Sequence, residues 1–90
     1  MTVLINIPTP LRVITKDRTV EVEGNTLSEC INNLDEKFNG IKKRLINDDG
    51  EINKFINFYI NGEDVRHSKG LETETKPSSS IDIVPAMAGG

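Results

Sequence analysis

Gly24-Asn25-Thr26-Leu27-Ser28-Glu29-Cys30-Ile31-Asn32-Asn33-Leu34-Asp35-Glu36-Lys37-Phe38-Asn39-Gly40 is the stretch on which the fold turns. Thr26-Leu27-Ser28-Glu29 has the form of a capping box, in which the threonine hydroxyl and the glutamate carboxylate accept from amides that a helix start leaves without partners. From there Leu27, Cys30, Ile31, Leu34 and Phe38 recur at helical spacing, while Glu29, Asn32, Asn33, Asp35, Glu36 and Lys37 fill the other side. Asn39-Gly40 supplies the left-handed residue that commonly closes a helix. The pattern predicts one amphipathic helix with a single narrow apolar stripe. One apolar surface is enough to cover such a stripe, and the segments on both sides of it read as strands.

Before the helix, Thr2 to Ile7 alternates Val3, Ile5 and Ile7 against Thr2, Leu4 and Asn6, the period of a strand with one buried face. Pro8 and Pro10 stop it, since neither donates to a ladder. Leu11 to Thr15 then begins the return, Lys16-Asp17-Arg18 is a polar break, and Thr19 to Glu23 is a second strand with Val20 and Val22 on one side, paired with the first as a hairpin. After the helix, Ile41 to Ile46 reads as a short helical turn with Ile41 and Leu45 inward. Asn47-Asp48-Asp49-Gly50-Glu51 is an ordinary polar loop, because its acids lack the further oxygen ligands at fixed offsets that a calcium loop requires. Phe55 to Ile60, rich in β-branched and aromatic residues, reads as a central strand. Asn61-Gly62 is a strong hairpin signal, after which Val65 and its neighbours return briefly. Leu71 to Ser80 is a polar approach to a final short strand, Ile81 to Val84, which Pro85 ends.

This order of elements gives an α+β layer pair, a mixed sheet with one main helix across one face. The first and last strands are expected side by side at its centre. Residues 1–85 form the domain, and residues 86–90 are a C-terminal tail without charge or bulk, expected to project from the most rigid part of the fold.

Ninety residues with 36% hydrophobic and 28% charged content describe one domain with a modest core, a size better suited to a binding or carrier role than to an enclosed catalytic cleft. A net charge of −3 argues against nucleic-acid binding, and the one basic run, Lys42-Lys43-Arg44, reads as a solvated surface. The single cysteine, Cys30, forms no internal disulfide and lies on the helix stripe as a small core filler, consistent with a reducing, cytoplasmic setting. No apolar run approaches the roughly 20 residues of a membrane span, and the N-terminus lacks the order of a signal peptide. His67 stands in the polar stretch Arg66-His67-Ser68-Lys69-Gly70 with no nucleophile or second ligand around it. There is no paired set of carboxylates, no phosphate-cradling glycine loop and no metal spacing, so the expectation is a protein that is not an enzyme, with no catalytic residue, no metal and no stably bound cofactor. What remains is Pro85-Ala86-Met87-Ala88-Gly89-Gly90: an unhindered glycine carboxylate on a bare tether able to enter a narrow channel in a partner.

The run Gly40-Ile41-Lys42-Lys43-Arg44-Leu45, the segment Phe55-Ile56-Asn57-Phe58-Tyr59-Ile60-Asn61-Gly62-Glu63-Asp64-Val65-Arg66 and the ending Val84-Pro85-Ala86-Met87-Ala88-Gly89-Gly90 together resemble the ubiquitin-like sulfur carriers. These include the small subunit of molybdopterin synthase, the thiamin-pathway carrier and the carrier that feeds thiocarboxylate sulfur to cysteine synthesis. The resemblance covers nearly the whole chain and implies a β-grasp fold. It also implies a cycle: an ATP-using activating enzyme adenylates the Gly90 carboxylate, sulfur replaces the adenylate, and the tail delivers it in an acceptor enzyme. ATP is then bound by the activating partner, Met87, Ala88 and Gly89 thread into the partner, and the acceptor is a cysteine synthase-like enzyme or a molybdopterin synthase large subunit-like one. Docking in the family uses the sheet face opposite the helix, for which Phe58 and Ile60, or their alternation partners, are the candidates. Asn61 to Arg66 leans toward the cysteine-synthesis branch, with the molybdopterin subunit and a protein modifier joined through Gly90 as the other readings. Met87 and the Asn- and Lys-rich loops copy no branch closely.

Overall fold

The computed structural model describes residues 2–85. Its strands are β1 (Thr2–Asn6), β2 (Thr19–Glu23), β3 (Ile56–Ile60), β4 (Glu63–Asp64) and β5 (Ser80–Pro85), and its α-helices are α1 (Arg12–Thr15), α2 (Leu27–Lys37) and α3 (Lys42–Leu45). The strands form one sheet in the order β2-β1-β5-β3-β4. β1 and β5 are parallel neighbours at its centre, with Ile5 beside Ile81, and the other pairings are antiparallel. The expected central placement of the first and last strands is therefore what the chain adopts.

One parity of every long strand faces α2. Val3 and Ile5 of β1, Val20 and Val22 of β2, Phe58 and Ile60 of β3, and Ile81 and Ile83 of β5 are all buried. Against them α2 sets Leu27, Cys30, Ile31 and Leu34, with Ile41, Leu45 and Val65 closing the edges. Each fully buried aliphatic side chain contributes about 1.5–3 kcal/mol, so this single interface supplies most of what opposes the chain entropy. Phe38 packs on the margin of the core rather than within it.

The capping box forms with a shift of one residue. The Glu29 amide donates to Thr26 Oγ1 at 3.2 Å, and Glu29 Oε1 accepts from the Asn25 amide at 2.9 Å, one residue before the cap. At the far end Asp35 Oδ1 accepts from the amides of Gly40 and Lys42 at 3.1 and 3.0 Å, tying α2 to α3 across the turn. The Asn61-Gly62 hairpin has positive φ at both residues, 52° and 87°, the geometry that matches strand twist.

Two expectations require correction. Leu11 to Thr15 does not return as an extended segment: Thr9–Leu11 is a 3-10 turn that leads into α1. Pro10 at a first-turn position starts this helical stretch, because its fixed φ and missing N–H suit a helix start as well as they end a strand. Leu11 is buried beneath it, and Arg12 Nε donates to the Ile7 carbonyl at 3.0 Å. Val65 likewise leaves the sheet; β4 ends at Asp64, whose carboxylate accepts from the Arg66 amide at 2.9 Å and starts a 3-10 turn with Val65 inside.

Gly24 sits where the chain passes from β2 to α2. A Cβ added there would lie 2.7 Å from Cys30 Sγ and 2.9 Å from the Cys30 amide nitrogen. Here the glycine is required for close approach rather than for an unusual φ.

Candidate functional site

β5 is the element that carries the chain toward residues 86–90. It lies between β1 and β3, so its backbone is held on both sides, and its last described residue, Pro85, is paired with Ile56. Gly90, with Met87, Ala88 and Gly89, lies outside the described residues. What the structure describes is the platform from which that segment departs.

The platform's outer face, away from α2, is built by the second parity of the strands. Leu4 and Asn6 of β1, Asp82 and Val84 of β5, and Asn57 and Tyr59 of β3 share it through the registers Leu4 to Ser80, Asn6 to Asp82, Asp82 to Tyr59 and Val84 to Asn57. Leu4 and Val84 are 39% and 41% exposed, and Phe55, just before β3, is 62% exposed. Val84 and Phe55 flank the end of the sheet where β5 leads out. In the middle of the face, Asn6 Nδ2 donates to Asp82 Oδ1 and also reaches Ser80 Oγ at 3.3 Å. This polar crosspiece joins the two central strands. Asn57 Oδ1 is buried and has no hydrogen-bond partner among the described residues.

Phe58 and Ile60 are not on this face. They are 1% and 8% exposed and belong to the core beneath α2, so a docking role for either is corrected by the register of β3, which pairs Phe58 with Ile83 and Ile60 with Ile81. Their alternation partners Asn57 and Tyr59 are the ones facing outward. Asn57 is the polar member of its alternation, but Phe55 and Tyr59 share its side, so the chain alone leaves β3 ambiguous, whereas Asp82 marks the solvated side of β5. Leu4 and Val84 stand on the outward side of their alternations, as the sequence places them, but a part in docking went unsignalled because an apolar residue at an outward position does not stand out in a hydrophobicity count.

The chemistry of the side chains is sparse. Cys30 is buried, and desolvation pushes its thiol above the ordinary value; Thr75 Oγ1 at 3.9 Å opposes that shift and Glu29 adds to it. Such a thiol is a packing group and not a nucleophile. The Asp64 carboxyl lies below its usual range because Arg66 donates to it, the guanidinium standing 3.0 Å from Oδ2. His67 is exposed. Among the described residues no three His, Cys, Asp or Glu side chains gather where they could hold a metal ion. No helix among them is long and apolar enough to cross a membrane.

The model of the ThiS family matches residues 5–90. This chain belongs to the ThiS family. The match takes in Gly89 and Gly90 as well as α2 and the sheet from Ile5 onward. The sulfur carrier protein CysO of Mycobacterium tuberculosis (strain ATCC 25618 / H37Rv) is 41% identical over 93 residues, and the alignment spans 100% of both chains. In the crystal structure of the Amycolatopsis orientalis BexX/CysO complex, a chain 44% identical to this one superposes with a TM-score of 0.92, covering 98% of this chain and 99% of that one. The small archaeal modifier protein 1 of Methanosarcina acetivorans follows at 27% identity and a TM-score of 0.84, covering 99% of this chain and 96% of that one. The fold is therefore the ubiquitin-like β-grasp, as the resemblance in the sequence implied. ThiS-type sulfur carriers are small carrier proteins and not enzymes.

Proposed function

We propose that this chain is a sulfur carrier whose C-terminal Gly90 is adenylated and converted to a thiocarboxylate, with cysteine biosynthesis as its pathway. The observation that carries the reading is the full-length likeness to CysO, in which Gly90 falls inside the family match. A carboxylate oxygen of Gly90 attacks the α-phosphorus of ATP held by an activating enzyme, and pyrophosphate leaves. A sulfur donor then displaces AMP from the acyl carbon, leaving a thiocarboxylate. In the acceptor enzyme the sulfur is the nucleophile and remains covalently tethered until delivery. ATP belongs to the activating partner, and this chain holds no resident cofactor.

The parts of the chain divide this work simply. Residues 86–90 bear no branched or charged side chain, which suits passage through a narrow channel, and the exposed Val84 and Phe55 beside their point of departure, with Leu4 and the half-buried Tyr59 farther back on the same face, suit contact with the enzyme around that channel's mouth. The acceptor is of the cysteine synthase type, with a molybdopterin synthase large subunit-like enzyme as the other branch, and the cycle runs in the cytoplasm. The intact mass of the protein isolated from its own sulfur-replete cells tests the reading: a fraction heavier by the difference between a sulfur and an oxygen atom is expected, and its absence overturns it. Gly90→Val is expected to keep the fold and lose sulfur loading.

The 27% identity to an archaeal modifier favours a second reading, in which Gly90 forms isopeptide bonds with substrate lysines. Gly-Gly remnants on lysines after proteolysis of cell lysate, absent in a strain lacking this protein, are its expected signature.

A further inference from the structure

β2 is an edge strand, paired with β1 on one side and with no strand on the other among the described residues. The phase of its ladder follows from the Ile7 amide, which donates to the Arg18 carbonyl at 2.7 Å. Antiparallel pairs alternate, so Val20 and Val22 direct their backbone groups to β1, and Thr19, Glu21 and Glu23 direct theirs outward. Only the Glu23 carbonyl of that outward set has a partner among the described residues, Asn33 Nδ2 of α2 at 2.5 Å. Beside this edge runs a groove of about 490 Å³ between β2 and the flank of α2, lined by Glu21, Glu23, Glu36 and the lone base Lys37, with Glu21 and Glu23 on the exposed parity of β2.

We propose that this edge accepts an extended, basic segment of a partner protein as a sixth strand. The free N–H and C=O groups of Thr19 and Glu21 supply the ladder, and the segment's alternate Lys or Arg side chains fall opposite Glu21 and Glu23. The same two carboxylates reject a second copy of this chain, because pairing β2 with β2 brings like charges face to face. The site is separate from the point where the chain leaves toward Gly90: it lies two strands across from β5, and along the strands it runs from the level of Asp82 at Thr19, about 10 Å from Pro85, to about 23 Å from Pro85 at the Thr2 end of the groove, at roughly 3.3 Å per residue. A partner bound here leaves the other end of the sheet open.

The test is a titration of the ¹⁵N-labelled full chain with a synthetic peptide alternating lysine and valine, and with its glutamate-valine counterpart. Saturable, salt-weakened shifts centred on the amides of Thr19, Glu21 and Glu23 are expected for the basic peptide only, with slowed exchange of the Glu21 amide. The double variant Glu21→Lys with Glu23→Lys, surface changes that leave the core untouched, is expected to weaken the basic peptide by about tenfold or more, since each opposed charge pair is worth a few-fold. The same variant is expected to begin binding the acidic peptide. Removal of residues 86–90 is expected to leave the titration unchanged. Shifts centred instead on Leu4, Tyr59 and Val84, equal binding of both peptides, or an unaltered preference in the double variant each overturn the proposal.

Discussion

Gly24→Ala is a sharp probe of how β2 and α2 are joined. The new methyl carbon would stand 2.7 Å from Cys30 Sγ and 2.9 Å from the Cys30 amide nitrogen, inside the distances that real Cβ atoms keep. The thiol alone can rotate away. The amide cannot, because it is part of the first turn of α2 and donates to the Thr26 carbonyl at 3.0 Å. The helix start must therefore slide outward, pulling Leu27 and Cys30 off the sheet and straining the Thr75 hydroxyl that donates to the Gly24 carbonyl at 2.7 Å. Overpacking of this kind costs about 1–3 kcal/mol. Loss of unfolded-state entropy on replacing glycine returns about 0.4–1 kcal/mol. A net loss of about 1–2 kcal/mol remains, which in a domain this small lowers Tm by roughly 5–15 °C. Thermal unfolding followed by circular dichroism measures it. The double variant Gly24→Ala with Cys30→Ala separates the two contacts: only partial recovery relative to Cys30→Ala alone is expected, since the backbone contact persists. A Tm within a degree or two of the parent, or full recovery in the double variant, would refute the reasoning.

Other changes test the remaining assignments. Phe58→Ala is expected to cost about 3–5 kcal/mol and leave the chain largely unfolded at moderate denaturant, whereas Val84→Lys on the outer face should stay within about 0.5 kcal/mol, so urea unfolding of the pair checks which parity of the sheet is buried. Thr26→Ala removes the cap of α2 and should lower stability by about 1 kcal/mol in the same assay. For Cys30, burial holds the proton on the thiol in the folded chain, so as pH rises through the ordinary thiol range the unfolded chain releases its proton first and stability falls. Denaturant midpoints at neutral and alkaline pH should show a smaller alkaline decline in Cys30→Ser than in the parent. Iodoacetamide should label Cys30 slowly in the native state and rapidly only after unfolding.

Much of the architecture is written in local pattern. The stripe Leu27, Cys30, Ile31 and Leu34, the Thr26 cap, the Asn61-Gly62 turn and the alternation of β1, β2 and β5 are all readable, because each is set by contacts within a few residues or by a period of the chain itself. The inward placement of Ile41 and Leu45 and the packing role of Cys30 are legible for the same reason. The helical stretch after Pro10 was not, since a proline both ends a strand and begins a helix and only the burial of Leu11 and Thr15 selects between the two.

The sequence by itself determined a layered α+β domain with one main helix, and it singled out Gly90 as the group to which the chemistry is here proposed to belong. Only the tertiary structure decided which side of β3 is core. Alternation divides a strand into two faces, but Phe55 and Tyr59 flank Asn57 on one while Ile56, Phe58 and Ile60 make up the other, so large apolar side chains stand on both and the pattern alone is degenerate. The choice is made by a neighbour more than twenty residues away: β5 sets Ile81 and Ile83 against α2, and pairing Ile60 with Ile81 and Phe58 with Ile83 commits β3 to the same side. The outward side of Tyr59 follows from that long-range register, and the joining of Leu4, Asp82 and Val84 with it on one face, like the free edge of β2, follows from the strand order.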